Sequence, residues 1–400
     1  MFLPASPGKL AAKARADRLR VLIVGAGVAG LTLAQALRAE GLHPVLVERA
    51  TGHADAGYML ALMPLVTPVL RKLGVRDAYR EHSVRFHGYG LHGRHGQLLR
   101  DYGIDTLLDM DGDYRGIARG ELMQALADAG APVAYATTVQ ALRQTPDAVQ
   151  ATLQTGAETL DAEFDAVVLA DGLHSDSRAL VLPPEQVTTY DSRWGGWVAW
   201  MDNDAAHADR GDEIWGADFF LGVYPVKGRA GIFLGCDRVD ESAGAQAFVA
   251  RVRRQLRVRD AWFERALATV ENAADPYYWQ LVDCRSARWT VDRVVLLGDA
   301  AAGFLPTAGI GAAMAMESAG VLASRLAGVD AAGVAAALAG YERAQRPRVE
   351  AAQDNSRQLA KLMFHRSRLL AAGRDVLARC IPLETALRPI RRLLETMPEA

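Results

Sequence analysis

Val21–Gly30 reads VLIVGAGVAG, and the reading of this stretch decides the fold. Four apolar residues, Val21 to Val24, predict a buried strand, and Leu31–Ala39 predicts a helix. Between them stand Gly25, Gly27 and Gly30 in a G-x-G-x-x-G pattern. Gly25 permits the tight strand-to-helix turn, Gly27 lets backbone approach a pyrophosphate, and Gly30 lets helix and strand pack closely. The helix N-terminus offers free N–H groups and positive dipole character to an anion. A second predicted strand, His43–Val47, ends on Glu48. That carboxylate lies about 20 residues past the glycines, where such folds place the acid that binds ribose hydroxyls. The pattern predicts a dinucleotide site and leaves NAD and FAD both open.

Composition narrows the class. The chain has 400 residues, 50% hydrophobic and 23% charged, as in a soluble globular protein with one large or two moderate cores. A formal net charge of −2 gives no reason to expect nucleic-acid binding. Cys236, Cys284 and Cys380 are odd in number and far apart, and read as reduced thiols of a cytoplasmic protein. The first 19 residues lack the apolar core of a signal peptide and are expected to be a flexible extension. No apolar run approaches the roughly 18 residues that span a membrane.

Beyond Glu48, a glycine-containing loop at Thr51–Gly57 precedes a helical pattern over Pro64–Leu73. His82–Gly96 then reads as a hairpin of another layer. Its histidines, His82, His87, His92 and His95, share no ligand-like spacing with a carboxylate or thiolate, so no metal site is expected. Arg119 precedes a predicted helix, Glu121–Ala129, and a β-meander is expected over 133–164. Asp165–Ala170, DAVVLA, is another buried strand running into Asp171-Gly172. From Val187 to Ser286 the texture changes: six of the seven tryptophans crowd here among short strand patterns, an antiparallel sheet with an aromatic layer. Arg293–Leu297 restores the first texture and ends in Gly298-Asp299. Gly309-Ile310-Gly311 then opens a long alanine-rich helix. Val334–Ala371 is predicted helical but interrupted near Pro347, and the tail is helical with breaks at Pro382 and Pro389. Residues 341–400 carry an excess of Lys and Arg over Asp and Glu, expected on a solvated helical face or a dimer contact rather than at a membrane.

At five places, in order, the chain resembles the single-component FAD-dependent aromatic hydroxylases, the p-hydroxybenzoate-hydroxylase-like flavoprotein monooxygenases. They are Gly25-Ala26-Gly27-Val28-Ala29-Gly30 with Glu48 and Arg49; Arg119 in IARGELMQAL; LADGLHSDSR, Leu169–Arg178; GDAAAGFLPTAGIGAAMAMESA, Gly298–Ala319; and YERAQRPRVEAAQDNSR, Tyr341–Arg357. The resemblance selects FAD over NAD. It implies an α/β fold, with a discontinuous Rossmann-like FAD-binding domain (20–80, 97–185 and 287–340). A substrate domain built on an antiparallel sheet (81–96 and 186–286) is inserted into it, and a helical segment (341–400) follows. It implies that Asp299 accepts hydrogen bonds from ribitol hydroxyls and that Arg119 forks onto the pyrophosphate. Asp171 and Gly172 would lie near the pyrophosphate, or form only a tight turn. Gly298, Pro306, Gly309, Gly311 and Ala312 would frame the flavin, the helix N-terminus facing its N1–C2 carbonyl edge. Two positions depart from the family's usual pattern: Ala302 stands where many relatives carry His, and Ala313 where many carry Asn.

The implied reaction is monooxygenation. NADPH or NADH reduces FAD, O2 forms a C4a-hydroperoxide, and one oxygen atom hydroxylates or epoxidises a small aromatic or otherwise apolar molecule. The alternatives are a flavin oxidase, dehydrogenase or cyclase that inserts no oxygen, or a flavin-binding protein without turnover. WGGWVAW at Trp194–Trp200 lacks the W-x-W-x-I-P pattern of flavin halogenases. A substrate pocket is expected to use Phe219, Tyr224, Trp200 and Trp215, with Arg193, Tyr58 and Tyr224 as catalytic candidates. A monomer or homodimer is expected.

Overall fold

The computed structural model describes residues 1–52, 57–104, 113–274, 276–380, 388–396 and 398. Its centre is a five-stranded sheet in the order Thr290–Val291, Val294–Leu296, Ala166–Leu169, Val21–Val24, Val45–Val47. The last four strands run parallel and only the first edge is antiparallel. The three inner runs are buried at every position, as strands covered on both faces must be. The helix after the glycine motif begins at Val28, three residues before the apolar periodicity announces it, with Gly27 as its N-cap. It packs beside the helix Gly311–Leu326 in one continuous core.

A second, seven-stranded sheet carries the aromatic layer. Its order is Tyr277–Ser286, Val187–Asp202, Arg229–Asp237, Phe219–Val226, Arg210–Trp215, Gly88–His92, Leu98–Gly103. Neighbours are antiparallel except Arg210–Trp215 and Gly88–His92, which pair in parallel. The hairpin expected over 82–96 thus lies further on, over 88–103, at the edge of this sheet. One face packs on helices Gly244–Gln255 and Ala261–Glu271, with Phe219, Leu221, Trp197 and Phe248 between them. The meander is three strands, Thr137–Gln144, Val149–Thr155 and Glu158–Phe164.

Two expectations fail. The first 19 residues are ordered: Phe2–Pro4 pairs in parallel with Ala131–Val133, and the helix Pro7–Ala14 buries Leu10 and Ala14. Apolar residues spaced one turn apart give that segment a face to bury. The helix Val334–Met363 passes through Pro347 unbroken for 30 residues. Proline removes one backbone donor there. Tertiary contacts on either side hold the helix: Gln345 donates to Glu317 and Ser318, and Arg348 forks onto Glu317. The C-terminal helices are Arg368–Cys380 and Arg388–Glu395; Pro382, like residues 53–56 of the Thr51–Gly57 loop, lies outside the described residues.

Candidate active site

The two sheets enclose a cavity of about 540 Å³. One wall is the nucleotide-fold side: Gly27, Val28, Ala29, Arg119, Gly172, Asp299 and the run Pro306–Ala312. The other is the aromatic sheet, with Tyr89, Glu213, Trp215, Phe220, Tyr224 and Phe233. Strand periodicity chooses these side chains: Phe220 and Tyr224 face the cavity, while Phe219, Leu221 and Val223 face the helices.

On the nucleotide-fold wall the backbone is laid bare. Gly25 has φ +100°, and a Cβ there would stand 2.5 Å from the Ala170 carbonyl oxygen. A Cβ on Gly27 would meet nothing within 4 Å, so the absent side chain leaves the turn open to a ligand. The helices starting at Val28 and Gly311 have no side-chain cap on their first N–H groups. Both starts line the cavity, where an anion or a polar ring edge would satisfy them. Gly309 adopts the left-handed conformation, φ 60°, to turn the chain into the second helix.

Two charged groups, Asp299 and Arg119, line this wall, and Glu48 stands behind the glycine turn without lining the cavity. Glu48 accepts from Ala26 N at 2.9 Å and Ala50 N at 2.9 Å, which ties the glycine turn to the end of its strand. Each of its oxygens keeps a lone pair for a hydroxyl. The Asp299 carboxyl is enclosed by protein and open only to the cavity, and burial pushes it up to about 6. Among the described residues no side chain or backbone N–H bonds to it. Arg119 lines the cavity with a guanidinium that makes no ion pair among the described residues. A carboxylate without a donor and an arginine without an anion among the described residues, facing one cavity beside bare helix starts, fit the ribityl and pyrophosphate parts of FAD.

Other expected residues stand elsewhere. Arg49 is on the surface, 3.4 Å from Asp176. The Asp171 carboxylate is used up inside its own turn by Ser175 and Ser177, and only Gly172 reaches the cavity. Arg193 is exposed on a bulge at φ 62°, so it is no handle for a cavity ligand. Phe219 is buried on the far face, and Trp200 lies under Arg229 at 4.1 Å; neither lines the cavity. Ala302 and Ala313 pack into the main core, away from this cavity. Tyr58 and Tyr224 do line it. Tyr58 stacks on Trp279 at 4.7 Å between centroids, bridging the two walls, and burial pushes its hydroxyl up to about 12.

Sequence reading missed Glu213. This buried carboxyl accepts from Trp215 Nε1 at 2.7 Å and from the Tyr224 hydroxyl, with Tyr89 beside it in the lining. Burial raises its affinity for a proton, and the donors oppose that shift. Leu359, Met363 and Phe364 also went unpredicted; they bring the C-terminal helical segment to the cavity rim.

Comparison with known proteins gives the family. A family model described as "FAD binding domain" matches residues 18–356. The chain belongs to that family. This flavoprotein is similar to 3-amino-4-hydroxybenzoate 2-monooxygenase of Streptomyces platensis, 27% identical, covering 85% of this chain and 87% of the relative. It is similar also to 2-heptyl-3-hydroxy-4(1H)-quinolone synthase of Pseudomonas aeruginosa, 28% identical, covering 76% and 80%. The crystal structure of Klebsiella pneumoniae HpxO with FAD and uric acid shares the fold, with a TM-score of 0.84 and 21% identity over 96% of this chain and 98% of that one. The flavoprotein is an FAD-dependent monooxygenase. No helix among its described residues is long and apolar enough to cross a membrane.

Proposed function

We propose that this flavoprotein uses NADPH or NADH and O2 to hydroxylate or epoxidise a small aromatic or otherwise apolar molecule held against the aromatic sheet. One observation carries the reading: a single cavity joins the bare helix start at Gly311 and the Asp299 carboxyl to a wall of tyrosine, tryptophan and phenylalanine. The balance is one substrate, one O2, one NAD(P)H and one proton giving one oxygenated product, NAD(P)⁺ and water.

FAD supplies the redox chemistry, taking electrons from the nicotinamide and activating O2. The chain supplies placement. Gly27 and the Val28 helix start cradle the pyrophosphate, and Arg119 closes on it with a planar fork. Glu48 accepts from the ribose hydroxyls and Asp299 from the ribityl chain. The N–H groups at Gly311 and Ala312 stabilise negative charge at the flavin edge. Phe220, Phe233, Trp279 and Phe364 exclude water from the substrate side, so that oxygen transfer outruns hydrolytic loss. Tyr58 and Tyr224, kept protonated by burial, are hydrogen-bonding groups for substrate. The cavity is formed within one chain, which suits a monomer or a homodimer. Buried free thiols at Cys236 and Cys284 suit a reducing cytoplasm.

The test is turnover of FAD-loaded protein under ¹⁸O₂ with each nicotinamide and a panel of phenols, quinones and indoles. One ¹⁸O atom in a product is expected. Nicotinamide oxidation that releases all oxygen as hydrogen peroxide, with no product across the panel, would instead indicate an oxidase.

A further inference from the structure

The aromatic wall has one charged group, Glu213, and nothing opposite to it in sign. Asp212 and Glu213 are adjacent buried acids pointing to opposite faces of one strand. Asp212 is matched by Arg210 at 2.9 Å, with His92 at 3.5 Å. Glu213 has no cation among the described residues. Arg119 is the one cation in the described lining, and it stands on the opposite wall.

What surrounds Glu213 are donors already spent. The Trp215 N–H and the Tyr224 O–H bond to the carboxyl, and Tyr89 lines the cavity beside it. A carboxylate offers about four acceptor positions, so these donors leave room for a further one. The Tyr224 oxygen, its proton committed to Glu213, also presents only lone pairs. Burial and the carboxylate hold the Tyr89 and Tyr224 phenols protonated far above the ordinary tyrosine range. The backbone is cut to fit. Gly222 stands across the ladder from Glu213, and a Cβ there would fall 2.6 Å from the Tyr224 ring. Only a bare residue lets that ring lie along the strand and reach the carboxyl.

Glu213 and the tyrosine oxygen bonded to it therefore ask for a donor, and among the described residues no cation at this end of the cavity answers an anion; the neutral hydroxyls of Tyr102 and Tyr114 complete the polar lining. We propose that Glu213, positioned by Trp215 and Tyr224, is the specificity-determining residue of the cavity. It selects aromatic substrates that present an O–H or N–H, neutral or cationic, and excludes aromatic carboxylates. An incoming carboxylate would be buried beside a like charge with no cation to pair it, which is strongly unfavourable. A phenol, an aminoarene or the N–H of a quinolone-type ring fills the open acceptor position. This rests on the reading of the aromatic wall as the substrate side.

The experiment titrates oxidised, FAD-loaded protein, without nicotinamide, with three probes of one ring size: 2-naphthol, 2-methoxynaphthalene and 2-naphthoate. Calorimetry and the flavin difference spectrum are the readouts. We expect 2-naphthol to bind at least about tenfold more tightly than either of the others, since one charge-assisted hydrogen bond is worth that much. Glu213→Gln, its FAD content unchanged, should bring 2-naphthol and its methyl ether to within about threefold and admit 2-naphthoate. Gly222→Ala, which leaves the carboxyl in place and displaces Tyr224, should reduce the same discrimination. Binding of 2-naphthoate as tight as that of 2-naphthol, discrimination unchanged in Glu213→Gln, or no response to any probe would overturn the proposal. Because no turnover is involved, selective binding without ¹⁸O incorporation would fell the hydroxylation reading and leave this one standing.

Discussion

The indole N–H of Trp215 donates to Oε2 of Glu213 at 2.7 Å, two residues along one strand and on one face of it. Strand alternation alone makes this pair, and it does two things. It stops the carboxyl from turning away into solvent, and it supports a charge that burial would otherwise neutralise. The same alternation sends Asp212 to the other face, where Arg210 neutralises it. Two neighbouring acids thus have unlike environments, and only one faces the cavity.

Trp215→Phe keeps the ring and deletes the donor. The carboxyl then loses one of its hydrogen bonds in a buried setting, a loss of about 1–3 kcal/mol for a bond to a charged group. Urea unfolding of the FAD-free protein should show a stability lower by that amount. A midpoint equal to wild type would mean that the Trp215 bond adds nothing net.

Asp299 gives a pH-dependent prediction whose sign is fixed by burial. Its affinity for a proton is raised in the folded FAD-free protein, from an ordinary 3.8 to about 6. Its contribution to stability is therefore complete below about pH 3.8 and is lost as pH rises through about 6. Hydroxyl donors from FAD favour the ionised form, so binding expels a proton in that range. FAD affinity should rise several-fold from pH 5 to pH 7.5 in wild type, measured by flavin fluorescence quenching. In Asp299→Asn it should be roughly tenfold weaker at pH 7.5, and flat with pH. A variant that purifies yellow and fully loaded would remove Asp299 from the FAD site.

Half of this site is legible in the sequence, and the reason is locality. Gly25 to Gly30, Gly298-Asp299 and Gly309–Gly311 each complete a turn and a helix start within a few residues, so backbone chemistry shows through the letters. The other wall depends on distant pairings. Glu213 stands beside Tyr89 because Arg210–Trp215 lies parallel to Gly88–His92, more than a hundred residues earlier, and nothing local announces that register. Arg193 shows the opposite error: an arginine among tryptophans suggests a pocket handle, but a bulge at positive φ turns it outward. The D-E-I-W alternation at 212–215 was the available signal for Glu213, an acid on the same face as a tryptophan.

Gly30→Ala should fail at the turn. An added Cβ would run into the Gly25 carbonyl oxygen and touch Ile23 Cγ2 at 3.3 Å. Neither can yield, because one is backbone and the other sits in a core packed to crystal-like density. Overpacking of this kind costs about 1–3 kcal/mol, and the strain falls on the turn beneath the pyrophosphate. The variant should melt several degrees lower and bind FAD at least tenfold more weakly. Wild-type melting and affinity together would show that helix and strand can part here without cost.

Arg348 and Glu317 join the long C-terminal helix to the helix that starts at Gly311. The guanidinium forks onto both oxygens of Glu317 at 2.7 and 2.9 Å, and the Glu317 side chain is 4% exposed. Arg348→Ala leaves that carboxylate buried with Gln345 as its one side-chain donor among the described residues, which costs about 3–5 kcal/mol. Arg348→Met combined with Glu317→Leu removes both charges and fills their volume, and should recover most of the loss, since a buried pair is often no better than apolar packing of the same size. Because Glu317 lies less than two turns from Gly311, the single variant should also weaken FAD binding, and the double variant should restore it. Equal melting temperatures for wild type and Arg348→Ala would show that the pair is solvated, and would break the proposed link between the C-terminal helix and the flavin-facing N-terminus.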